Sequence, residues 1–379
     1  MTKPSCAIEV ITSARGLAEL EPVWNGLLSA SGVEHPFLSH EWITTWWECF
    51  GSGAELSILV ARSGGTPVAV APLMRTRQRV LGRQLQCIQF LANDHSPRCD
   101  FLIGSQASEV YETIFSFLMS GGTPWDVVAL REVPAGSPTL ERMTSFAAQS
   151  NVLAGWRHSY NSPFLPLAGQ WEDALPSKRR WFLRNRLKRL SSHGPVELET
   201  VSAPSQVLSA LEDGFRLEAA AWKGDAGTAM ASDPAVRRFY TEFAMRAAAR
   251  GWLRLQFLKA GGKRVAFAYA LAYRQRMYLL KPGFDPEYAA YSPGNLLTWL
   301  VLQDASASGF ESYDFLGRDD HWKRQWAEQT LAHSWIFAYA DRPWARAAHY
   351  AKFELIPVLQ KFPLYSRLRD SVLHLRATP

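Results

Sequence analysis

The sequence predicts an α/β protein in which one helix-and-sheet unit is used twice. Three observations predict it: an internal repeat, an alternation of strand-like and helix-like apolar runs, and a composition suited to a packed core. Residues 56–79 (LSILVARSGGTPVAVAPLMRTRQR) align without a gap with residues 253–276 (LRLQFLKAGGKRVAFAYALAYRQR), and nine of the 24 positions are identical. Unrelated segments of that length would share roughly one or two. Each copy reads as a β-meander. An apolar run meets a Gly-Gly turn (Gly64-Gly65, Gly261-Gly262), where positive φ is needed and glycine supplies it. A second apolar run follows, then a charged turn at residues 77–79 or 274–276, then a third strand.

Helical periodicity follows each meander, near residues 106–120 and 293–308, and each helix runs into a short strand, at 125–133 and 311–317. Helices also precede the meanders, at 39–50 in the first copy and at 204–223 and 233–250 in the second. This order implies mixed, largely antiparallel sheets flanked by helices. Pro163, Pro166 and Pro176 mark a linker over residues 155–178, which separates a domain over 1–165 from one over 170–340. A basic and aromatic helical tail covers 341–379.

The composition, 47% hydrophobic and 20% charged, is that of a globular protein, and the formal charge of +6 favours an anionic partner. CoA phosphates, nucleotides, anionic lipid and RNA all meet that description. Cys6, Cys49, Cys87 and Cys99 form no CxxC pair and no Cys/His metal spacing, so no metal and a reducing compartment are expected. The first residues lack the apolar run of a signal peptide, and no stretch reaches 18 apolar residues. A cytoplasmic location follows as an expectation, with any membrane contact peripheral to its inner face. The chain has no HExxH, GxSxG, P-loop or GxGxxG pattern, which argues against metalloprotease, serine-hydrolase, P-loop and Rossmann chemistry.

Four segments carry polar chemistry. In YSPGNLLTWLVL, Ser292 is placed to cap a helix, Pro293 suits its first turn, and Gly294 lets a ligand approach the free N–H groups at the positive helix end. Tyr291 and Asn295 flank this phosphate seat, though an ordinary capped helix would read the same way. In YDFLGRDDHWKRQW, Asp314 or His321 is the candidate general base, and Lys323 the candidate partner of a phosphate or carboxylate. The segment over residues 177–193 holds seven Lys/Arg and no acid, with Leu183, Leu187 and Leu190 at helical spacing. Its Arg186 is a candidate contact for donor, acceptor or anionic lipid. Trp222-Lys223, ending a helix before a glycine-rich loop, form a candidate lip of the acceptor pocket.

With these residues in place, the second half resembles the GNAT-superfamily acyltransferases of the cellulose-biosynthesis type, which are distantly similar to Fem-type aminoacyl transferases. The resemblance runs over roughly residues 175–330. It rests on the basic helix, Trp222-Lys223, Phe239-Tyr240, the strands through Gly261 to Lys281, Phe284-Asp285 to Tyr288, Ser292-Pro293-Gly294, and Asp314 to Lys323 and Trp326. It implies tandem GNAT-like domains, the first degenerate, and transfer of an acyl group from a thioester such as acyl-CoA to an amine on an envelope polysaccharide or lipid precursor. Tyr240 and Tyr288 then join Arg186, Trp222 and Lys223 around the substrate. The [QR]xxGx[GA] pyrophosphate pattern of the superfamily is absent, with residues 292–295 in its place. The donor therefore stays open among acyl-CoA, acyl carrier protein and aminoacyl-tRNA, and a non-catalytic nucleotide-binding or scaffold module remains a third reading.

Overall fold

Both Gly-Gly turns form as their residues require. Gly64 and Gly65 have φ of 55° and 86°, and Gly261 and Gly262 have 55° and 82°. A Cβ on Gly261 would lie 2.2 Å from the His193 carbonyl oxygen, so this turn admits only glycine. The computed structural model describes residues 6–80, 82–120, 124–167, 169, 171–220 and 230–359.

The first copy carries β1 (Cys6–Ile11), β2 (Glu55–Leu56), β3 (Ile58–Ser63), β4 (Thr66–Ala71), β5 (Leu73–Val80), β6 (Arg83–Phe90), β7 (Leu102–Ile103) and β8 (Val127–Pro134). After β9 (Leu153–Pro166), the second carries β10 (Val196–Val201), β11 (Leu253–Ala260), β12 (Lys263–Tyr273), β13 (Arg276–Phe284), β14 (Ser312–Asp314) and β15 (Gln329–Tyr339). A four-stranded sheet has the order β1-β3-β4-β7, and an eleven-stranded sheet runs β10-β11-β12-β13-β14-β9-β15-β8-β6-β5-β2. Within the long sheet β13 pairs parallel with β14, and β6 pairs parallel with β8. The order around its centre is therefore symmetric, and the closing strands are exchanged. β9 follows β8 in the chain yet pairs with β14, while β15 follows β14 and pairs with β8. β9 and β15 then pair with each other along most of their length, which joins the copies into one sheet.

Two expectations change here. The proline-marked linker is largely the 14-residue strand β9. Proline lacks only the donor, and Pro163 still accepts from the Phe315 N–H at 3.0 Å, so these prolines sit where the ladder needs acceptors. In the first copy, Arg77-Gln78-Arg79 is no turn but part of β5, paired with residues 84–86 of β6. Pro72 breaks the chain between β4 and β5, and the reversal falls later, at Gly82 (φ 80°). In the second copy the turn does lie at Arg274 and Gln275, with φ of 45° and 59°.

Helices cover the sheets because their apolar stripes need a partner. His40–Phe50 and Pro234–Ala249 meet across the copies, with Trp42 edge-on to Phe239 and Phe243 at centroid distances of 5.1 and 4.7 Å. Beside this apolar seam lies a buried polar one. Arg98 of the first copy pairs with Asp314 at the end of β14, and both are buried. Asp314 Oδ1 also accepts from the Leu316 N–H (2.9 Å) and the Ser162 hydroxyl (3.4 Å). Burial works against the Arg98 charge, but the Asp314 carboxylate more than offsets it and holds the guanidinium above its ordinary pKa. Burial, reinforced by Arg98, pushes His35 well down and His333 to about 3, so both are neutral near pH 7. Removing one partner of a buried pair strands the other charge, at a cost of about 3–5 kcal/mol. Asp314→Ala should lower unfolding free energy by about that much in urea titration, and adding Arg98→Met should recover most of the loss.

Candidate active site

β13 and β14 are in register over only three residues, Arg276–Tyr278 against Ser312–Asp314, and then diverge. A cleft of about 1310 Å³ opens in the splay, with residues 279–284 on one wall and Phe315, Leu316 and Gly317 on the other. The second wall is turned away by two left-handed residues, Leu316 (φ 49°) and Gly317 (φ 60°). Asp314 holds the Leu316 N–H, and Lys323 fixes the loop beyond. The Lys323 ammonium donates to the carbonyls of Leu316 (2.7 Å) and Arg318 (2.8 Å) and pairs with Asp320 (3.1 Å). On the first wall, Gly283 lets helix Pro204–Ala220 approach so closely that a Cβ would lie 2.5 Å from the Glu218 Cα.

At one end of the cleft stands the first turn of helix Pro293–Ala307, through Gly294, Asn295 and Thr298. The positive end of a fifteen-residue helix there favours an anion. Gly294 leaves room: a Cβ would meet only Phe284 Cδ1, at 3.7 Å. The basic helix Ser177–Leu190 docks against this end. Arg179 donates to Asn295 Oδ1 (2.7 Å), Arg186 to the Ala290 carbonyl (2.5 Å), and Arg189 lies 5.7 Å from the Tyr291 ring. Lys178, Arg184, Lys188 and Arg189 face solvent, and Trp181 among them is 66% exposed.

The candidates from sequence divide accordingly. Gly294, Asn295, Lys323 and Tyr240 line the cleft. Lys323 cannot meet a phosphate as expected, because its three protons are already held; burial also lowers its pKa, against the pull of Asp320. Asp314 is buried in its ion pair with Arg98 and does not line the cleft, so it is ill placed to act as base. His321 is exposed outside the cleft, its Nδ1 3.4 Å from Gln325 Nε2. Ser292 makes no cap: its backbone is left-handed (φ 54°, ψ 53°), whereas a capping side chain needs an extended one to reach the N–H groups. Tyr291, bonded through its hydroxyl to His193 Nε2 (2.8 Å), and Tyr288, with Lys263 Nζ 5.0 Å from its ring, stand beside the helix end rather than in the cleft, as does Arg186. Trp222 and Lys223 lie outside the described residues.

The cleft does not stop at the second copy. β6 and β8 are likewise parallel over three residues, Cys87–Gln89 against Val127–Ala129, and then part. Gln89, Phe90, His95 and Tyr160 line this part of the cleft, with Ala129, Arg131 and Glu132 of β8 and Trp335 of β15. The two splays thus open into one chamber. His95, 3.3 Å from the Tyr240 hydroxyl, joins the two parts; burial, then Lys281, pushes its pKa down to about 4.

Glu132 is the residue that sequence reasoning missed. It sits in a β-bulge, where Arg131 and Glu132 oppose the single residue Trp335, and its φ is 55°. A non-glycine residue in that conformation costs about 1–2 kcal/mol, and such strain collects at functional sites. Glu132 Oε1 accepts from Trp335 Nε1 (2.7 Å) and Ser159 Oγ (3.2 Å). Oε2 is buried and has no hydrogen-bond partner among the described residues. Burial raises the carboxyl pKa above its ordinary value, against the bonds from Trp335 and Ser159. A half-buried carboxylate with one free oxygen can accept a proton from a ligand in the chamber. The sequence carried no signal for this residue, because Arg131-Glu132 lies inside a strand, Val127–Pro134, rather than past its end.

Residues 177–324 match the family profile described as Acetyltransferase (GNAT) domain. No curated protein matches the sequence significantly. Among solved structures, FemX superposes with a TM-score of 0.58 at 11% identity, covering 90% of this chain and 100% of that one. The C-terminal domain of a putative lysylphosphatidylglycerol synthetase from Agrobacterium fabrum gives 0.54 at 13% identity, with 89% and 96% covered. L-PGS from Bacillus licheniformis gives 0.51 at 12% identity, with 86% and 94% covered. The likeness to these structures is one of fold. The chain thus carries a GNAT-type acetyltransferase domain over residues 177–324, within an architecture shared with FemX and the lysylphosphatidylglycerol synthetase domains.

Proposed function

We propose that the protein is an N-acyltransferase that takes an acyl group from acyl-CoA and passes it to an amine on a cell-envelope precursor. The observation that carries this reading is the splay between β13 and β14, which ends at the first turn of helix Pro293–Ala307. An extended pantetheine arm fits such a slot, with phosphates at the helix end beside the basic helix. Beyond Tyr278 β13 no longer pairs with β14, and on this reading a main-chain N–H of Leu279 or Leu280 would meet the thioester oxygen. The amine approaches from the first-copy side. Its nitrogen attacks the thioester carbonyl, the C–N bond forms, and its proton passes to Glu132. The C–S bond then breaks and the thiolate leaves, to be protonated from solvent. No covalent enzyme intermediate is needed.

Turnover of acyl-CoA with a panel of amines, followed by mass spectrometry, tests the reaction directly. Gly294→Phe should fill the slot at the helix end and raise the KM for acyl-CoA by roughly tenfold or more at unchanged melting temperature, a loss of about 1.4 kcal/mol of binding. Gly294→Ala should stay near wild type. A wild-type KM in the Phe variant would place the donor elsewhere.

Glu132→Gln should lower kcat by about 10²–10⁴. The sign of the pH effect follows from the raised carboxyl pKa. The base works deprotonated, so wild-type kcat/KM rises with pH through a value above the usual carboxylate range, and this acid limb should vanish in the Gln variant. A Gln variant that keeps both rate and limb would remove Glu132 from the role.

A second donor is favoured by one observation, the exposed Trp181 among the outward cations of the basic helix. An aromatic ring among cations suits a long polyanion, which points to aminoacyl-tRNA. On that reading transfer from aminoacyl-tRNA should outpace transfer from acyl-CoA, and RNA affinity should fall steeply between low and moderate salt. Flat salt dependence in a filter-binding titration would eliminate it.

A further inference from the structure

Three cations gather beside the first-copy end of the cleft, and one of them, Arg131, lines it. Arg131 lies in the bulge of β8, Arg157 stands opposite Trp335 on β9, and Lys352 comes from the Ala351–Leu355 segment that follows helix Pro343–Tyr350. The Arg131 and Arg157 guanidinium carbons lie 4.7 and 4.2 Å from the centre of the Trp335 ring. Lys352 Nζ lies 3.5 Å from the centre of Phe337, two residues along β15 and so on the same face. None of the three takes part in an ion pair among the described residues. Arg131 Nε is buried without a hydrogen-bond partner. The carboxylate beside them, Glu132, already spends one oxygen on Trp335 and Ser159.

Stacking on an indole ring can hold a guanidinium in place. It does not explain two of them beside a third cation, with one carboxylate against three positive charges. Burial, then Arg157 and Arg131, pushes the Lys352 ammonium down to about 7, and burial with Arg131 lowers Arg157 as well. The cluster therefore works against itself in the free protein, and a dianion would relieve it.

We propose that the acceptor amine carries a phosphoryl group, seated by Arg131, Arg157 and Lys352 beside Trp335. The two guanidinium forks suit phosphoryl oxygens, and the ammonium adds a third charge. Arg131 and Glu132 both line the cleft, so an amine a few bonds from that phosphoryl group would lie near the Glu132 carboxylate. This inference rests on the transfer reading above, and it names the chemical class of the acceptor. A soluble phosphorylated amine and a phospholipid headgroup share this chemistry.

Calorimetric titration of the full chain with O-phosphoethanolamine, ethanolamine and CoA tests it without turnover. The wild type should bind O-phosphoethanolamine and not ethanolamine. Arg157→Gln and Lys352→Gln, both away from the helix end, should each weaken O-phosphoethanolamine binding roughly tenfold or more while CoA affinity holds. Co-sedimentation with phosphatidylcholine vesicles, with and without phosphatidylethanolamine, separates the two sources. Selective retention on the phosphatidylethanolamine vesicles assigns a lipid headgroup, and binding of the soluble compound alone assigns a soluble acceptor. Equal affinity for the two soluble amines, or unchanged phosphoethanolamine binding in both variants, would overturn the proposal. So would a loss that falls on CoA instead. Whether the wild type binds CoA at all judges the donor reading separately.

Discussion

The exchange of β9 and β15 constrains everything else in this molecule. Each copy contains a parallel strand pair that parts after three residues, and a sheet cannot end at such a gap without leaving backbone groups unpaired. Each copy's closing strand crosses to the other copy's parallel pair, β9 beside β14 and β15 beside β8. The splays then face each other across a shared sheet. One continuous cleft follows from that geometry, lined both by Glu132 and by Phe315, although the two are 183 positions apart in sequence.

The same exchange explains a buried ion pair at the seam. β14 is only three residues long, so its end must be held by something other than a ladder. Asp314 supplies that hold by gathering Arg98, Ser162 and the Leu316 N–H from three parts of the chain. Desolvating two charges is expensive, and apolar residues would hold the copies together as well. What apolar residues would not supply is a bond to the Leu316 amide, which sets the left-handed turn that opens the cleft wall. Lys323 repeats the device one turn later, trading all of its protons for the shape of the loop over residues 316–320.

Much of the fold was legible because it depends on local rules. The glycine pairs fixed both turns, and the apolar periodicity located the helices Ala107–Met119, His40–Phe50 and Pro293–Ala307 to within a residue or two. Strand exchange was not legible, since no residue of β9 announces which partner it will take, and its prolines suggested a linker. Within the site, Gly294 and Asn295 were visible from helix-end logic. Asp314, His321 and Lys323 were singled out by polarity at a strand end, and that signal cannot tell a residue that shapes a cleft from one that faces into it. Glu132 was hidden because its setting depends on a bulge, a left-handed φ and an indole donor 203 positions away.

The duplicated unit did not stay symmetric, and the difference has a physical reading. In the second copy, the helix after the meander begins Pro-Gly-Asn, with no acid in its first turn, and its tip meets the cleft. The corresponding helix of the first copy, Ala107–Met119, has Glu109 in its first turn and contributes nothing to the cleft lining. A carboxylate there opposes an anion at the helix end, so phosphate binding in that copy is disfavoured at the position where the other copy invites it. The first copy's charge lies instead on the sheet, in the bulge that carries Arg131 and Glu132. A ligand bound along one splay therefore meets cations at a helix tip, and a ligand along the other meets them at a strand bulge. On the proposed reading, the two halves would offer unlike substrates separate seats that open onto the same space, which is what a two-substrate group transfer needs.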